Sequence, residues 1–258
     1  MRMNPQLIDP WKFNRLDAAF STHHHQDHCD LYTVKAALQT TKCPFVGPPK
    51  TVEKLKSFDV PDERIITAHV GESIKFPGVE VEFLMNYDDT VIRTGDGAGR
   101  DKYENCCVSF LFKTSAGNIM FLGDTWYNDA YKAIGENYQV DVAIFDMGMN
   151  APGATDKMTP YDCARLGETL KAKVLIPDHY DNWANTCSDP EMLCNQFERI
   201  VSENTPDIKT VILRPGARFV YPQDQDIKRY RYPNQSEGYN PEKSISYGEY
   251  ARKYGKKN

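Results

Sequence analysis

The spacing of apolar positions along the chain changes several times, and each change marks an element. "RLDAAFST" predicts a short buried strand that runs straight into a histidine cluster. "DLYTVKAALQT" then places Leu31, Val34 and Leu38 at helical spacing, with Asp30 positioned to cap the first turn. Strand-like "CPFVG" and helix-like "KTVEKLKSF" repeat the alternation. From Ile65 the pattern becomes strand after strand. "IITAHV", "ESIKF" and "VEVEFLM", the last two joined at Pro77-Gly78, predict an antiparallel portion. "CVSFLFKT" and "NIMFLGD" extend it as a hairpin.

Beyond Asp124 helices and strands alternate again. A helix over 129–136 leads to the strand "VDVAIFDMG", and Thr159-Pro160 opens the helix "PYDCARLGETLKA". The strand "KVLIPDHY", a helix over 191–202 and the strands "TVILRPG" and "RFVYP" complete the series. This order predicts an α/β fold, with 1–222 as one domain. Residues 223–258, rich in Tyr, Lys and polar side chains, predict a peripheral C-terminal tail.

Composition narrows the function. With 40% hydrophobic and 26% charged residues, the 258-residue chain can bury a core of its own, and no apolar run reaches the length of a membrane span. The N-terminal stretch lacks the apolar segment of a secretory signal, which points to the cytoplasm and to no membrane partner. Seven cysteines without a CxxC pair argue against a disulfide framework and a thiolate zinc knuckle. A net charge of −5 leaves no footprint for nucleic acid.

The chemistry concentrates in "STHHHQDHCD", where four of six histidines fall within six positions. His23, His25, Asp27 and His28 form an H-x-H-x-D-H pattern. Strand alternation lets His23 and His25 converge on one cation, and the turn into the next helix brings Asp27 and His28 to a second. Such a site needs donors from elsewhere. Asp124 and His179 both stand at the ends of apolar strands, where α/β folds gather their sites. Imidazole and carboxylate donors suit zinc, manganese or iron without choosing among them.

These residues, in this order, resemble the metallo-β-lactamase superfamily. More narrowly, "STHHHQDHCD", "FLGDTWYNDAY", "GATDKMTPYDCARLGETLKAKVLIPDHYDNWAN" and "PGARFVYP" resemble the L-ascorbate-6-phosphate lactonase family over most of residues 7–222. The resemblance implies an αββα sandwich and a cytoplasmic hydrolase using one or two Mn2+ ions, with Zn2+ or Fe2+ as alternatives. Its reaction would open the lactone of L-ascorbate 6-phosphate, a small phosphorylated sugar lactone, to 3-keto-L-gulonate 6-phosphate. Carried onto this chain, the metal ligands would be His23, His25, Asp27, His28, Asp124 and His179, with Asp124 bridging and with Asp27 and Asp124 as the catalytic carboxylates.

Two features depart from the family pattern. Members carry a β-rich segment ahead of the histidine motif, whereas 22 residues precede His23 here. Part of the N-terminal β-layer is therefore expected to be lacking, and a bared sheet face would favour a homo-oligomer. The superfamily's further histidine also has no clear counterpart. His69 reads as structural, while Asp88, after "VEVEFLM", is a candidate ligand or a support for one, as is Asp178 beside His179. Candidates for the substrate phosphate are Lys157, Arg93, Arg100 and the amides of 95–99. Competing readings are a phosphodiesterase of the same superfamily and a truncated, non-catalytic metal-binding member.

Overall fold

The computed structural model describes residues 8–93, 99–150, 156–181 and 189–229. The first layer is a parallel sheet of β1 (Ala19–Phe20), β2 (Phe45–Gly47) and β3 (Ile65–Thr67). Its outer face carries α1 (Leu31–Thr40) and α2 (Pro49–Ser57), packed through Val34, Leu55 and Phe45. Asp30 caps α1 by accepting the Thr33 N–H at 2.8 Å.

The second layer is seven-stranded, in the order β10-β9-β8-β7-β6-β5-β4. Strands β4 (Ser73–Phe76), β5 (Val79–Met85), β6 (Val108–Thr114) and β7 (Gly117–Phe121) are antiparallel. Strands β8 (Val142–Asp146), β9 (Val174–Asp178) and β10 (Lys209–Thr210) join in parallel. A short α3 (Tyr103–Cys106) precedes β6. On the outer face lie α4 (Tyr131–Asn137), α5 (Pro160–Leu170) and α6 (Pro190–Asn204), which share the largest core cluster with Met120, Phe145 and Leu175. Thr159 and Asp162 close a reciprocal capping box at the start of α5, as Thr159-Pro160 predicted.

The two sheets meet through Phe20, Val46, Ala68, Val81, Phe83 and Phe110, giving the αββα sandwich. Three strands face seven, so the inner face of β8 and β9 has a different cover. Leu213, Phe219 and Tyr221 lie over Val142, Ile144, Val174 and Ile176. That cover corrects one expectation: "RFVYP" forms no strand, because its apolar alternation is spent packing on a sheet face rather than pairing at its edge. "TVILRPG" contributes only the two-residue β10, although Val211 N–H still donates to Leu175 O at 2.9 Å. "IITAHV" belongs to the parallel first layer, not to the antiparallel portion. Among the described residues no helix is long and apolar enough to cross a membrane.

Candidate metal centre

The histidine turn, 21–30, is clamped between the layers. Val108 N–H donates to Thr22 O at 2.9 Å and His23 bridges to Cys107, so β6 of the second sheet holds the chain leaving the first. The His23 and His25 rings stand 4.7 Å apart. The turn closes as His28 N–H and Cys29 N–H donate to His25 O, bringing the His28 ring to 4.1 Å from His23. Alternation carries His24 away from them, to the wall of a separate cavity.

The second sheet supplies the remaining donors from its strand ends. Asp88 follows β5 in a turn whose Thr90 and Val91 N–H groups donate to Oδ1 at 2.9 and 3.1 Å, leaving Oδ2 turned to His23 Nε2 at 3.8 Å. The buried Asn86 links this turn to β7: its Oδ1 accepts the Asp88 N–H, and its Nδ2 donates to Leu122 O at 2.7 Å. Asp124 follows Gly123, whose φ is +72°. A Cβ there would lie 2.4 Å from Thr22 Oγ1, so only glycine lets this strand end approach the histidine turn. Asp124 Oδ1 then stands 3.2 Å from His28 Nε2 and 3.6 Å from His179 Nε2, while Oδ2 accepts from the Lys157 ammonium.

His179 leaves β9 with φ +61°, a left-handed conformation uncommon for a side-chain-bearing residue. It stacks on the His28 ring at 5.5 Å and places Nε2 3.3 Å from Asp27 Oδ2. The donors fall into three overlapping groups, each with its ligand atoms within 4.8 Å: His23, His25 and Asp88; Asp27, His28 and His179; and, between them, His23, His28 and Asp124.

The electrostatics match a cation-binding pocket. His23 is wholly buried, and desolvation, helped by the neighbouring His28, holds its imidazole well below the ordinary range and therefore neutral. Burial also lowers His25. Burial and the Asp124 charge push the Asp88 carboxyl up to about 7. Burial opposes ionisation of Asp124 as well, but Lys157, His28 and His179 outweigh it and hold the carboxylate well below its usual range.

Of seven buried side-chain atoms without a hydrogen-bond partner among the described residues, four belong to this donor set: His23 Nε2, His28 Nε2, Asp88 Oδ2 and Asp124 Oδ1. Each such orphan costs about 1–3 kcal/mol. All four are lone-pair donors of the kind divalent cations take, and His23 Nδ1 is already engaged with Thr22 Oγ1 at 3.1 Å, which leaves Nε2 for the ion. The residues present fit a divalent metal.

The structure brings all six expected ligands and Asp88 together. Asp178 adjoins His179 at the end of β9, its carboxyl pushed up to about 6 by burial. Lys157 is buried against Asp124, so its ammonium serves the carboxylate. Arg93 and Arg100 both pair with Asp89, and Arg93 lines the separate cavity with His24 and Lys50. His69 is exposed after β3. The amides of 95–98 lie outside the described residues.

Two residues escaped the sequence reading. Asp146, fully buried, pairs in register with Asp178 and accepts the Thr125 N–H at 3.0 Å, fixing the turn that carries Asp124. The apolar run "VDVAIFD", ending in Asp like "IMFLGD" and "KVLIPD", was a signal for it. Arg214 lines the cavity of about 380 Å3 that opens beside Asp27, His28 and His179. No local sequence signal separates it from an ordinary loop arginine.

Comparison with known proteins agrees with this geometry. Residues 1–180 match the beta-lactamase superfamily domain. A probable L-ascorbate-6-phosphate lactonase, UlaG, of Escherichia coli O139:H28 (strain E24377A / ETEC) is 34% identical over 241 residues, covering 90% of this chain and 68% of the relative. Among solved structures, Igni18, a metallo hydrolase of Ignicoccus hospitalis KIN4/I, superposes with a TM-score of 0.59 at 18% identity, over 79% of this chain and 80% of its own. An isothiocyanate hydrolase from Delia radicum gut bacteria gives 0.62 at 16% identity, over 83% and 80%.

Proposed function

Because the chain belongs to the L-ascorbate-6-phosphate lactonase family of metal-dependent hydrolases in the metallo-β-lactamase superfamily, we propose that it opens the lactone of L-ascorbate 6-phosphate to 3-keto-L-gulonate 6-phosphate. The observation that carries this reading is the set of four orphaned, buried donor atoms among ligands that border an open cavity. His23, His25 and Asp88 would hold one ion, Asp27, His28 and His179 a second, with Asp124 between them. Manganese is the ion the family resemblance favours; the same donors accept zinc or iron. A divalent cation in this centre supplies Lewis acidity toward the lactone carbonyl and acidifies water.

The chain's own groups do the rest. Thr22 holds the His23 tautomer, and Lys157 keeps Asp124 ionised with Oδ1 facing the histidines. Of the ligand carboxylates Asp27, Asp88 and Asp124, Asp27 is the one that lines the cavity. Burial works against its ionisation, but the contacts from His179 and His28 hold it below the ordinary carboxylate range. Its position at the cavity and its ionised state make it the side chain we assign to take a proton from the attacking water and return it to the ring oxygen released when the ester bond breaks. A phosphorylated sugar lactone is an intracellular substrate, and the reading carries a cytoplasmic location with it.

The test is the loss of lactone ultraviolet absorbance when purified, folded protein meets L-ascorbate 6-phosphate and Mn2+. Turnover is expected in the wild type, and Asp124→Ala or prior chelation should abolish it. Folded protein with metal bound that leaves the lactone intact overturns the assignment.

A further inference from the structure

The substrate read above carries a phosphate, and the residues singled out in the sequence for binding it do not meet it in the cavity. Lys157 is spent on Asp124, Arg93 and Arg100 are paired with Asp89, and Arg93 lines another cavity. The formal charges that line the cavity beside the metal ligands are three carboxylates and one guanidinium. Asp27, Asp178 and Asp181 line it, and Arg214 is the one lysine or arginine among its described lining residues. The rest of the described lining is apolar or aromatic apart from His28 and His179, so Arg214 is the one permanently cationic side chain there that a phosphate dianion meets.

We propose that Arg214 recognises the phosphate of the substrate, an inference that rests on the lactonase reading. The side chain is presented by a built turn. Arg214-Pro215-Gly216-Ala217 closes with Ala217 N–H donating to Arg214 O at 2.9 Å, and Gly216 takes φ +86°, as Pro-Gly at the centre of a type II turn requires. The turn is locked to the metal centre: the Tyr180 hydroxyl, one residue after His179, donates to Leu213 O at 2.7 Å, one residue before Arg214.

The guanidinium is also available. Its described ion-pair partner is Glu191 at 3.5 Å, and Glu191 is already engaged by Arg229 through its other oxygen. A planar, permanently charged fork suits a phosphate better than a weak surface pair. Placed at the rim while the lactone sits among the ligands, it would set specificity for phosphorylated over free lactones.

The experiment has two arms on metal-loaded protein. In the first, Arg214→Ala should raise KM for L-ascorbate 6-phosphate by about tenfold or more, leave kcat nearly unchanged, and leave any activity on unphosphorylated L-ascorbate as it was. Arg214→Lys should recover part of the loss. In the second, calorimetric titration with inorganic phosphate should show binding weakened about tenfold in Arg214→Ala and unchanged in Arg93→Ala. Wild-type protein without lactonase turnover, but with phosphate binding that depends on Arg214, would sink the lactonase reading and keep Arg214 as the phosphate-recognising residue of a different phosphorylated substrate. Equal phosphate affinity in wild type and Arg214→Ala, an unchanged KM, or a loss seen in Arg93→Ala instead would overturn it.

Discussion

Asp88 shows how a ligand candidate can be half legible in a sequence. Its position after an apolar strand was visible, but its direction is set by contacts no local pattern contains: Oδ1 is pinned by the Thr90 and Val91 amides, and the backbone is held through Asn86 to Leu122. Those bonds leave only Oδ2 for His23, where the superfamily pattern has a histidine. The substitution that separates the two oxygens' roles is Asp88→Asn, which keeps an amide oxygen for the turn and removes the anion from the cation's side. We expect this variant to fold and to hold less metal than wild type by elemental analysis, with the deficit at the His23/His25 position. Losing a contact that only supports a ligand typically weakens metal binding about 10–100-fold, so a larger loss at that position fits the loss of a ligand itself. Full wild-type metal content at limiting metal would show that Asp88 only supports the ligands. The H-x-H-x-D-H residues were legible for the opposite reason: their geometry follows from strand alternation and one tight turn.

At the scale of elements, the second sheet divides its labour between strand ends. Asp124, Asp146 and Asp178 lie at or just beyond the C-terminal ends of β7, β8 and β9, around the centre. At the other end Asp141 is a structural clamp. It is nearly fully buried, and it accepts from Asn118 N–H at 2.7 Å, Lys173 Nζ at 2.7 Å and Gln139 Nε2 at 2.9 Å, stitching β7, β8 and β9 together. Burial opposes its ionisation, yet these partners hold the carboxyl below its ordinary value of 3.8. A carboxyl depressed in the folded state contributes its full stability above the unfolded value, and that contribution fades as pH falls through the folded one. Asp141→Asn should therefore cost about 1–3 kcal/mol near neutral pH by denaturant unfolding, with a gap to wild type that narrows below about pH 4. A gap independent of pH down to acid unfolding would count against the ionised clamp. Helices were readable where caps announce them, as with Asp30 and the Thr159-Pro160 pair. Edge strands were not, because Phe219 and Tyr221 alternate like a strand while serving as a cover for Ile144 and Ile176.

At the scale of the whole molecule, the metal centre is also a joint. His23 to His28 leave the three-stranded layer, whereas Asp88, Asp124 and His179 come from the seven-stranded one. Between the layers run the apolar contacts around Phe20 and Phe110, the His23–Cys107 bridge and the close approach of Gly123 to Thr22. Without a cation, this seam buries polar atoms that have no partner and crowds Asp88 against Asp124, so the joint weakens the fold until something positive fills it. A ligand bound only by the folded state at a hundred times its dissociation constant adds about 2.7 kcal/mol, which for a chain of this size is a rise of about 5–10 °C in Tm. Adding Mn2+ to metal-free protein should produce a shift of that order, and Asp124→Ala, which removes the donor between the two groups, should lose most of it. Metal shown to bind tightly with no change in Tm in the wild type would mean that it sits away from the seam, and that the four orphaned atoms are satisfied by water instead.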